Sequence, residues 1–199
     1  MHRLNNHPPT LVPATQDLEQ LARNWSGRNN FQPTETSIQC NGNGIYCLQY
    51  DDEKIITGSR DNLVKIWLGP STASRASGAL ADRQCKRQFE GHDGSVLCLQ
   101  FDDTKVVSGS SDGTVRVWDL ESGECIQTLE DHEQSVLHLK FLGDQLVTCS
   151  KDKTVILWKL NREGKYEKIR VMDDHRAAVN VVEFDNTYIV SASGDRSVR

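Results

Sequence analysis

From residue 45 onward, short apolar runs alternate with polar turns rich in aspartate, serine and glycine. Runs of this length, rich in β-branched and aromatic residues and bounded by turn residues, predict β-strands rather than helices. One stretch shows the pattern in full, with strands predicted at 95–101, 105–109, 114–118 and 124–129. A similar set follows at 136–141, 145–149, 154–158 and 166–171. The chain is therefore predicted to be all-β, built from successive four-stranded antiparallel units.

The same polar residues recur at fixed places in these units. A histidine is followed twenty positions later by an aspartate, a hydroxyl residue precedes the aspartate by four, and a tryptophan follows it by six. The members are His92, Ser108, Asp112 and Trp118; His132, Thr148, Asp152 and Trp158; and His175, Ser191 and Asp195. An earlier unit keeps Thr57, Asp61 and Trp67 but has Asn41 in the histidine place.

Successive aspartates are separated by 51, 40 and 43 residues. Self-similarity at about 40–45 residues, with Gly91-His92 opening a unit and Trp118-Asp119 closing it, is typical of the blades of a WD-repeat propeller. We interpret the recurring tetrad as structural. Its members can satisfy one another in sequence, so that the polar groups of a buried turn are paired.

The repeats divide residues 41–199 into blades at about 41–90, 91–130, 131–171 and 172–199, the last incomplete. Propellers typically close a ring of four to eight blades. Three and a half blades therefore indicate a fragment, a truncated gene model, or a half that needs another chain. Residues 1–14 are predicted to be a disordered tail, and 15–40 a linker with a short helix at 15–25. The insertion at 69–82, between the third and fourth strands of the first blade, is predicted to be a flexible loop.

Composition narrows the class of protein. A net charge of −5 argues against nucleic acid as a partner. No apolar run approaches the roughly 20 residues of a membrane span, so no membrane partner is expected. The six cysteines form no Cys-x-x-Cys pair, which predicts neither a metal site nor a disulfide framework, and no cofactor is expected. These features favour an intracellular protein, cytoplasmic or nuclear.

A binding surface is predicted at one rim of the propeller, where two positions per blade reach the mouth of the central channel. The first lies five residues after the histidine place, at Tyr46, Leu97, Leu137 and Asn180. The second directly precedes the aspartate, at Arg60, Ser111, Lys151 and Gly194. These positions vary while the tetrad repeats. Cations and hydroxyls suit an acidic or phosphorylated peptide, although exposed Arg and Lys also occur simply for solvation.

The run Gly109-Ser110-Ser111-Asp112-Gly113 matches Gly-x-Ser-x-Gly, the nucleophile motif of many hydrolases. That motif needs a strand-to-helix turn, whereas here a strand-to-strand hairpin is predicted. The serine, histidine and aspartate also recur in each blade, which a catalytic triad does not do. We therefore predict that the chain is not an enzyme. His138, alone on a strand, is interpreted as an ordinary sheet residue.

Several strings closely resemble F-box/WD-repeat proteins of the β-transducin-repeat-containing type (β-TrCP/Slimb). They are IYCLQYDD (45–52), GHDGSVLCLQ (91–100), VTCSKD (147–152), HRAAVNVV (175–182) and VSASGDR (190–196). The resemblance covers about residues 25–199, and residues 25–28 with Gln32 are similar to the linker between F-box and propeller. It implies a seven-bladed propeller that serves as substrate receptor of an SCF-type cullin-RING ubiquitin ligase.

In that family the propeller binds a doubly phosphorylated Asp-Ser-Gly-x-x-Ser degron. Carried over by resemblance, the contacts are Tyr46, Arg60, Ser95, Ser111, Leu137, Lys151, Asn180 and Gly194. Arg60, Ser95 and Ser111 would hold one phosphoserine, and Tyr46, Leu137 and Asn180 the degron backbone and its small residues. Partners are expected to be phosphorylated substrates, with the Skp adaptor and cullin only if the full-length protein has an F-box. The alternatives are a WD-repeat scaffold without phosphate specificity and, from another class, a hydrolase using Ser111.

Overall fold

The structure is a computed structural model, and it describes residues 23, 26, 43–69, 85–185 and 187–199. The chain divides into two compact units, 1–37 and 38–199. In the first unit, Arg23 is helical and its carbonyl accepts a hydrogen bond from the Ser26 hydroxyl at 3.0 Å. The predicted tail at 1–14, the rest of the helix and linker, and residues 70–82 of the insertion lie outside the described residues.

The described part of the second unit contains fourteen strands in four antiparallel sheets, one for each predicted blade. Within a blade the strands are called a to d in chain order, and each pairs with the next. Blades 1 and 2 contain β1 (Ile45–Tyr50), β2 (Lys54–Ser59), β3 (Val64–Leu68), β4 (Cys85–Phe89), β5 (Val96–Phe101), β6 (Lys105–Ser110), β7 (Val115–Asp119) and β8 (Cys125–Leu129). Blades 3 and 4 contain β9 (Val136–Leu142), β10 (Gln145–Ser150), β11 (Val155–Leu160), β12 (Tyr166–Met172), β13 (Val179–Phe184) and β14 (Ile189–Ser193).

The predicted all-β propeller class is therefore confirmed. Blade 4 has strands a and b. Residues 198 and 199 begin strand c, since the Ser191 and Arg199 backbones exchange hydrogen bonds of 2.9 and 3.0 Å. Because each strand pairs with its neighbour in the chain, turns b–c and connections d–a lie at one rim of the array. Turns a–b and connections c–d lie at the opposite rim.

Neighbouring blades pack face to face through apolar side chains. Between blades 1 and 2, Ile56 and Val64 join Val96 and Phe101 in one buried cluster, and Phe89 stacks on Trp118 with ring centroids 5.5 Å apart. Equivalent clusters fill the next two junctions. Each fully buried aliphatic side chain contributes roughly 1.5–3 kcal/mol. These repeated junctions are the main source of stability of the array.

Glutamine side chains also join the blades at their inner strands. The Gln49 amide donates to the Phe101 carbonyl at 3.3 Å and accepts from the Phe101 N–H at 2.7 Å. Gln100 bonds the backbone of Phe141 in the same way, at 3.0 and 2.7 Å. An ion pair of 3.2 Å between Lys140 and Glu183 stands at the corresponding place of the third junction. The inner strands are thereby held in a fixed register.

The b–c turns share a residue with positive φ directly after the repeated aspartate. It is Asn62 (70°), Gly113 (89°), Lys153 (76°) and Arg196 (71°). The left-handed region is open to glycine and accessible to asparagine, but it costs other residues about 1–2 kcal/mol. Lys153 and Arg196 are therefore strained at a position where glycine, as in blade 2, would not be.

We expect Lys153→Gly to raise the free energy of unfolding by about 0.5–1 kcal/mol, because relief of the left-handed strain exceeds the entropy that glycine adds to the unfolded chain. Urea denaturation measures the change. Lys151→Gly is the matched control in the same turn. Lys151 does not have a positive φ, so its replacement should lower the free energy instead. Equal destabilisation by the two variants would contradict the strain.

Candidate functional site

The tetrad of blade 2 forms one hydrogen-bonded network. His92 Nδ1 lies 3.0 Å from Asp112 Oδ2, and His92 Nε2 lies 2.8 Å from Ser108 Oγ. Because an ionised carboxylate only accepts, Nδ1 carries the proton and Nε2 accepts from the serine hydroxyl. The Trp118 indole N–H then donates to Ser108 Oγ at 2.8 Å. Asp112 also accepts from the backbone N–H of Asp93 at 2.9 Å.

Blades 3 and 4 repeat this network. In blade 3 His132 lies 2.9 Å from Asp152 and 2.8 Å from Thr148, and the Trp158 indole donates to Thr148 at 3.0 Å. In blade 4 His175 lies 2.8 Å from both Asp195 and Ser191. Both ring nitrogens of each histidine are thus engaged inside the blade, and these groups stabilise the turns that form the rim.

A further serine, two residues before each aspartate, belongs to the network and was missed by the sequence reasoning. The hydroxyls of Ser110, Ser150 and Ser193 donate to the carbonyls of the d–a connections at 2.9–3.0 Å. They also accept from the backbone N–H of the aspartates. The signal was available, because serine recurs at this position in all four blades, including Ser59.

Blade 1 replaces the missing histidine with a lysine. Lys65 is buried, and its Nζ lies 2.6 Å from Asp61 Oδ2. The Ser59 hydroxyl also donates to Asp61, and the Trp67 indole donates to Thr57 at 2.9 Å. Burial raises the pKa of Asp61, but the hydrogen bonds from Lys65 and Ser59 outweigh it and leave the net pKa below its ordinary value. In blade 1 the aspartate is thus paired with a lysine and a serine instead of a histidine. Asn41, at the histidine place, lies outside the described residues.

Burial and hydrogen bonding set the charge states in blades 2 and 3. Burial lowers the pKa of His92 and of His132, although the facing aspartates oppose the shift. Burial raises the pKa of Asp112, but hydrogen bonds from Thr114 and Asp93 outweigh it, so the net pKa is lowered. The histidines are therefore neutral and the aspartates ionised at neutral pH.

We expect the free energy of unfolding to fall as the pH drops from 7.5 to 5. The unfolded histidines bind a proton near pH 6.5, while folded His92 and His132 resist it, so the unfolded state takes up more protons as the solution is acidified. Half-buried His138, whose pKa is also lowered by desolvation, adds to the trend. Urea midpoints at several pH values test it. The depressed aspartates add their own loss only below about pH 5, so a profile that stays flat between pH 7.5 and 5 would contradict the expectation.

The predicted mouth residues that precede the aspartates are held in one geometry. The backbone N–H of Arg60, Ser111, Lys151 and Gly194 each donates across the blade to a carbonyl in the segment just before or at the start of strand a, at 2.9 Å in every case. Each residue is exposed at the b–c rim. The main chain is therefore the same at the four positions, and the side chain alone varies.

The second set of mouth positions coincides with β-bulges. The pairing of strands a and b skips one residue in each blade, and the skipped residues are Tyr46, Leu97, Leu137 and Asn180. An extra residue in a strand re-aims its side chain, and bulges are common beside binding sites. Tyr46 is 53% exposed, Asn180 is exposed, and Leu137 is half-buried. Periodicity located these positions, but nothing in the sequence indicated that a bulge presents them.

Ser95 connects two blades at the rim. Its hydroxyl donates to the Arg60 carbonyl at 3.5 Å, and Ser135 donates in the same way to the Ser111 carbonyl at 3.2 Å. The structure thus brings Ser95 directly beside Arg60. Ser111, Lys151 and Gly194 follow at the equivalent turns of the next three blades.

The geometry gives little support to a hydrolase site, a metal site or a membrane span. His92 engages Ser108 and Asp112, so the serine-histidine-aspartate pattern belongs to the buried network and not to Ser111. Among the described residues there is no group of His, Cys, Asp and Glu suited to a metal ion, and no helix long and apolar enough to cross a membrane. The five described cysteines are free, and burial raises the pKa of Cys47 and of Cys149 to about 12.

Comparison with protein families agrees with this architecture. The model described as "WD domain, G-beta repeat" matches residues 32–67 and 166–199. The model of the Vps8 β-propeller matches residues 83–181. The chain carries WD repeats. Propellers of this kind typically serve as scaffolds for protein–protein interaction and not as enzymes.

Several curated relatives are similar over part of the chain. F-box and WD repeat domain-containing 11-A of Danio rerio is 48% identical over 104 residues, which is 47% of this chain and 16% of the relative. F-box/WD repeat-containing protein lin-23 of Caenorhabditis elegans is 49% identical over 81 residues, 40% of this chain and 10% of the relative. Mitochondrial division protein 1 of Kluyveromyces lactis is 40% identical over 82 residues, 40% of this chain and 12% of the relative. The chain spans a minor part of each.

Among solved structures, the computationally designed Ika4 protein is similar with a TM-score of 0.70 and 27% identity. The match covers 84% of this chain and 97% of that protein. The arrangement of blades found here therefore also occurs in a solved chain of comparable extent.

Proposed function

We propose that the b–c rim binds phosphorylated peptides of the Asp-Ser-Gly-x-x-Ser type, and that the protein is the substrate-recognition part of an SCF-type ubiquitin ligase. The observation that carries the proposal is Arg60, an exposed guanidinium on a fixed turn, with Ser95 beside it. A guanidinium binds phosphate oxygens through two parallel hydrogen bonds, which suits it to a phosphoserine.

The b–c turns present cations suited to an anionic ligand, although the d–a connections at the same rim carry exposed acids such as Asp93, Asp131 and Glu133. The protein as a whole is acidic, with a net charge of −5, but its b–c turns present Arg60, Lys151, Lys153 and Arg196. The same turns contain no ionised acid other than the repeated aspartates, which are engaged inside the blades. A phosphorylated segment lying across these turns would thus meet one or two cations in each of blades 1, 3 and 4.

The bulged side chains supply the apolar and polar contacts of such a ligand. Tyr46, Leu137 and Asn180 rise from the inner strands of blades 1, 3 and 4, and they differ in size and polarity. Tyrosine and leucine offer apolar area to small residues of a peptide, while an asparagine amide both donates to and accepts from its backbone. The family resemblance implies the same roles for these side chains.

Two relatives support the proposed link to a ligase. Their printed names join F-box and WD repeat, and both are close to half identical to this chain over the matched residues. In this proposal the propeller selects the phosphorylated protein, and a Skp adaptor and cullin bind only if the full-length protein has an F-box. The chain itself contributes recognition and no catalytic group. A location in the cytoplasm or nucleus is consistent with this function.

The test is a titration measured by fluorescence polarisation. A doubly phosphorylated Asp-Ser-Gly-x-x-Ser peptide and the same peptide without phosphates are each titrated with the chain. We expect the phosphorylated peptide to bind at least tenfold more tightly, and the difference to shrink at high salt, because charge-assisted contacts are screened. Equal affinity for the two peptides would refute phosphate recognition.

A WD-repeat scaffold without phosphate specificity is the second candidate function. Two observations favour it. Mitochondrial division protein 1, whose name does not mention an F-box, is 40% identical over a similar number of residues. The Ser95 hydroxyl also has a structural partner in the Arg60 carbonyl, so it serves the blade junction without any ligand. In this case the rim would bind an unphosphorylated partner, and Arg60 would contribute little.

A further inference from the structure

The junction between blades 3 and 4 carries cations at the rim where the first two junctions carry acids or uncharged residues. Three positions can be compared at each junction: the residue before the repeated aspartate, the residue after it, and the residue after the histidine of the next blade. They are Arg60, Asn62 and Asp93 at the first junction; Ser111, Gly113 and Glu133 at the second; and Lys151, Lys153 and Arg176 at the third. We call Lys151, Lys153 and Arg176 the basic patch. Of these three junctions, only the third has a cation at every position.

Contacts at the second junction show that these positions adjoin one another across the blades. A methyl group on Gly113 would lie 3.1 Å from the His132 carbonyl oxygen and 3.5 Å from the Gln134 carbonyl oxygen. A side chain at this turn position therefore emerges beside the residue that follows the histidine of the next blade. Blades 3 and 4 pack through an equivalent apolar cluster, and their b–c turns have the same backbone bonds. The repeat thus places Lys153 beside Arg176.

The side chains of the basic patch are exposed and have no anionic partner in the part of the chain that the structure describes. The repeated carboxylates on either side of it, Asp152 and Asp195, accept their hydrogen bonds inside the blades. Pairing is otherwise common for lysine in this protein. Six other lysines form ion pairs, namely Lys54, Lys65, Lys105, Lys140, Lys159 and Lys168.

Acids also lie at this rim, but they do not distinguish the third junction from the others. Each of the three d–a connections has exposed acids before its histidine: Glu90; Glu130 and Asp131; Asp173 and Asp174. The difference between the junctions arises after the histidine and in the b–c turns. There the third junction has three cations and no further acid, so it is the least acidic of the three.

The basic patch suits a run of single negative charges better than one phosphate. Its members stand on two segments from two blades, so their charges are spread along the rim. Two of them are lysines, whose ammonium groups act as point charges and do not grip one phosphate as a planar guanidinium does. The hydroxyl that lies beside the first-blade arginine is also missing, because Ala178 stands in the place of Ser95. Aspartate and glutamate side chains match this pattern.

We propose that the basic patch binds an acidic segment of the ligand, a run of aspartates or glutamates that flanks the phosphorylated motif. The inference rests on the proposed function, because the same ligand then occupies the whole rim. It adds a determinant of specificity: among phosphorylated ligands, those with an acidic flank bind more tightly. Two of the residues that carry it, Lys153 and Arg176, belong to neither set of mouth positions.

The test compares fluorescent peptides by polarisation at low salt, with the 199-residue chain. The doubly phosphorylated Asp-Ser-Gly-x-x-Ser peptide is extended by three glutamates or by three glutamines, at either end, and a glutamate run without the motif is measured alongside. At one end, the glutamate extension should bind about three- to tenfold more tightly than the glutamine extension, as two or three exposed ion pairs would give.

The preference for glutamate, expressed as the ratio of the two Kd values, should vanish when Lys153→Asn and Arg176→Gln are combined. Asparagine already occupies this left-handed turn position at Asn62, so the turn can form. Arg176→Gln alone leaves the turn unaltered and should reduce the ratio. The matched control combines Arg162→Gln with Lys165→Gln, which neutralises two exposed cations at the opposite rim. It should keep the full preference.

Failure of this inference differs from failure of the proposed function. If the phosphorylated motif binds but glutamate and glutamine extensions are equivalent at both ends, or if the combined variant keeps the preference, the basic patch is refuted and phosphate recognition stands. If no phosphorylated peptide binds, yet the free glutamate run binds the unaltered chain and not the combined variant, phosphate recognition is refuted and the basic patch stands. Absence of both kinds of binding refutes both.

Discussion

Replacement of Asp112 by alanine is expected to lower the free energy of unfolding by about 3 kcal/mol. Asp112 accepts hydrogen bonds from the His92 ring, from the Asp93 N–H and from the Thr114 N–H, the last at 2.7 Å. Without the carboxylate these donors lose their acceptor, and each buried donor left unsatisfied costs about 1–3 kcal/mol. Urea denaturation at pH 7.5 measures the loss, which is large compared with the marginal stability of a domain.

Asp103→Ala is the matched control for this measurement. Asp103 is an exposed aspartate in the a–b turn of the same blade, and its removal should change the free energy by no more than about 0.5 kcal/mol. Any loss of peptide binding by Asp112→Ala should disappear at a temperature where the variant is folded. A variant that unfolds normally but does not bind would show that Asp112 contacts the ligand and is not a structural residue.

Replacement of Arg60 by alanine is expected to weaken binding of the doubly phosphorylated peptide by about 2–4 kcal/mol, or roughly 30- to 1,000-fold in Kd. Arg60 is the cation that the blade 1 turn presents at the rim, and the bond from its N–H to the Gly44 carbonyl fixes its backbone. Loss of a charge-assisted contact in a partly desolvated site has this magnitude. Ser111→Ala should cost less, about 1 kcal/mol, because its hydroxyl is a neutral donor.

Arg162→Ala is the control for Arg60. Arg162 is an exposed arginine in the c–d connection of blade 3, at the opposite rim, so its removal changes the net charge equally without touching the proposed site. Affinity should be unchanged. If Arg60→Ala binds as well as Arg162→Ala, phosphate recognition by Arg60 is refuted and the scaffold function is favoured.

Much of this architecture could be predicted from the sequence, because a repeated pattern removes ambiguity. The spacing of His92, Ser108 and Asp112 located the blades, and strand boundaries differ from the predicted ones by about one residue, as at β6, predicted at 105–109 and found at Lys105–Ser110. The rim positions could also be assigned, since equivalent residues of each repeat occupy equivalent places. Their role as ligand contacts stays a prediction.

Features that depart from the repeat, or depend on contacts between repeats, could not be predicted. The pairing of Lys65 with Asp61 replaces a histidine that lies on another segment, and only the folded hairpin shows that the lysine reaches the carboxylate. The Gln49 and Gln100 side chains bond to backbone groups that are 52 and 41 residues away in the chain. Such contacts depend on the register between blades, which no local pattern encodes. Left-handed Lys153 and Arg196 are likewise visible only once the turn geometry is known.

The bulges at Tyr46, Leu97, Leu137 and Asn180 allow the ligand specificity of such a protein to change by substitution of single side chains. A bulged residue stands outside the pairing of strands a and b, so its side chain can be exchanged without disturbing the alternation of buried and exposed residues on either side. The four bulges and the four adjoining turn residues thus form a panel of independently mutable sites on a constant framework. Random libraries restricted to these eight positions should contain many folded members, and recognition could diverge between duplicated genes without passing through unstable intermediates.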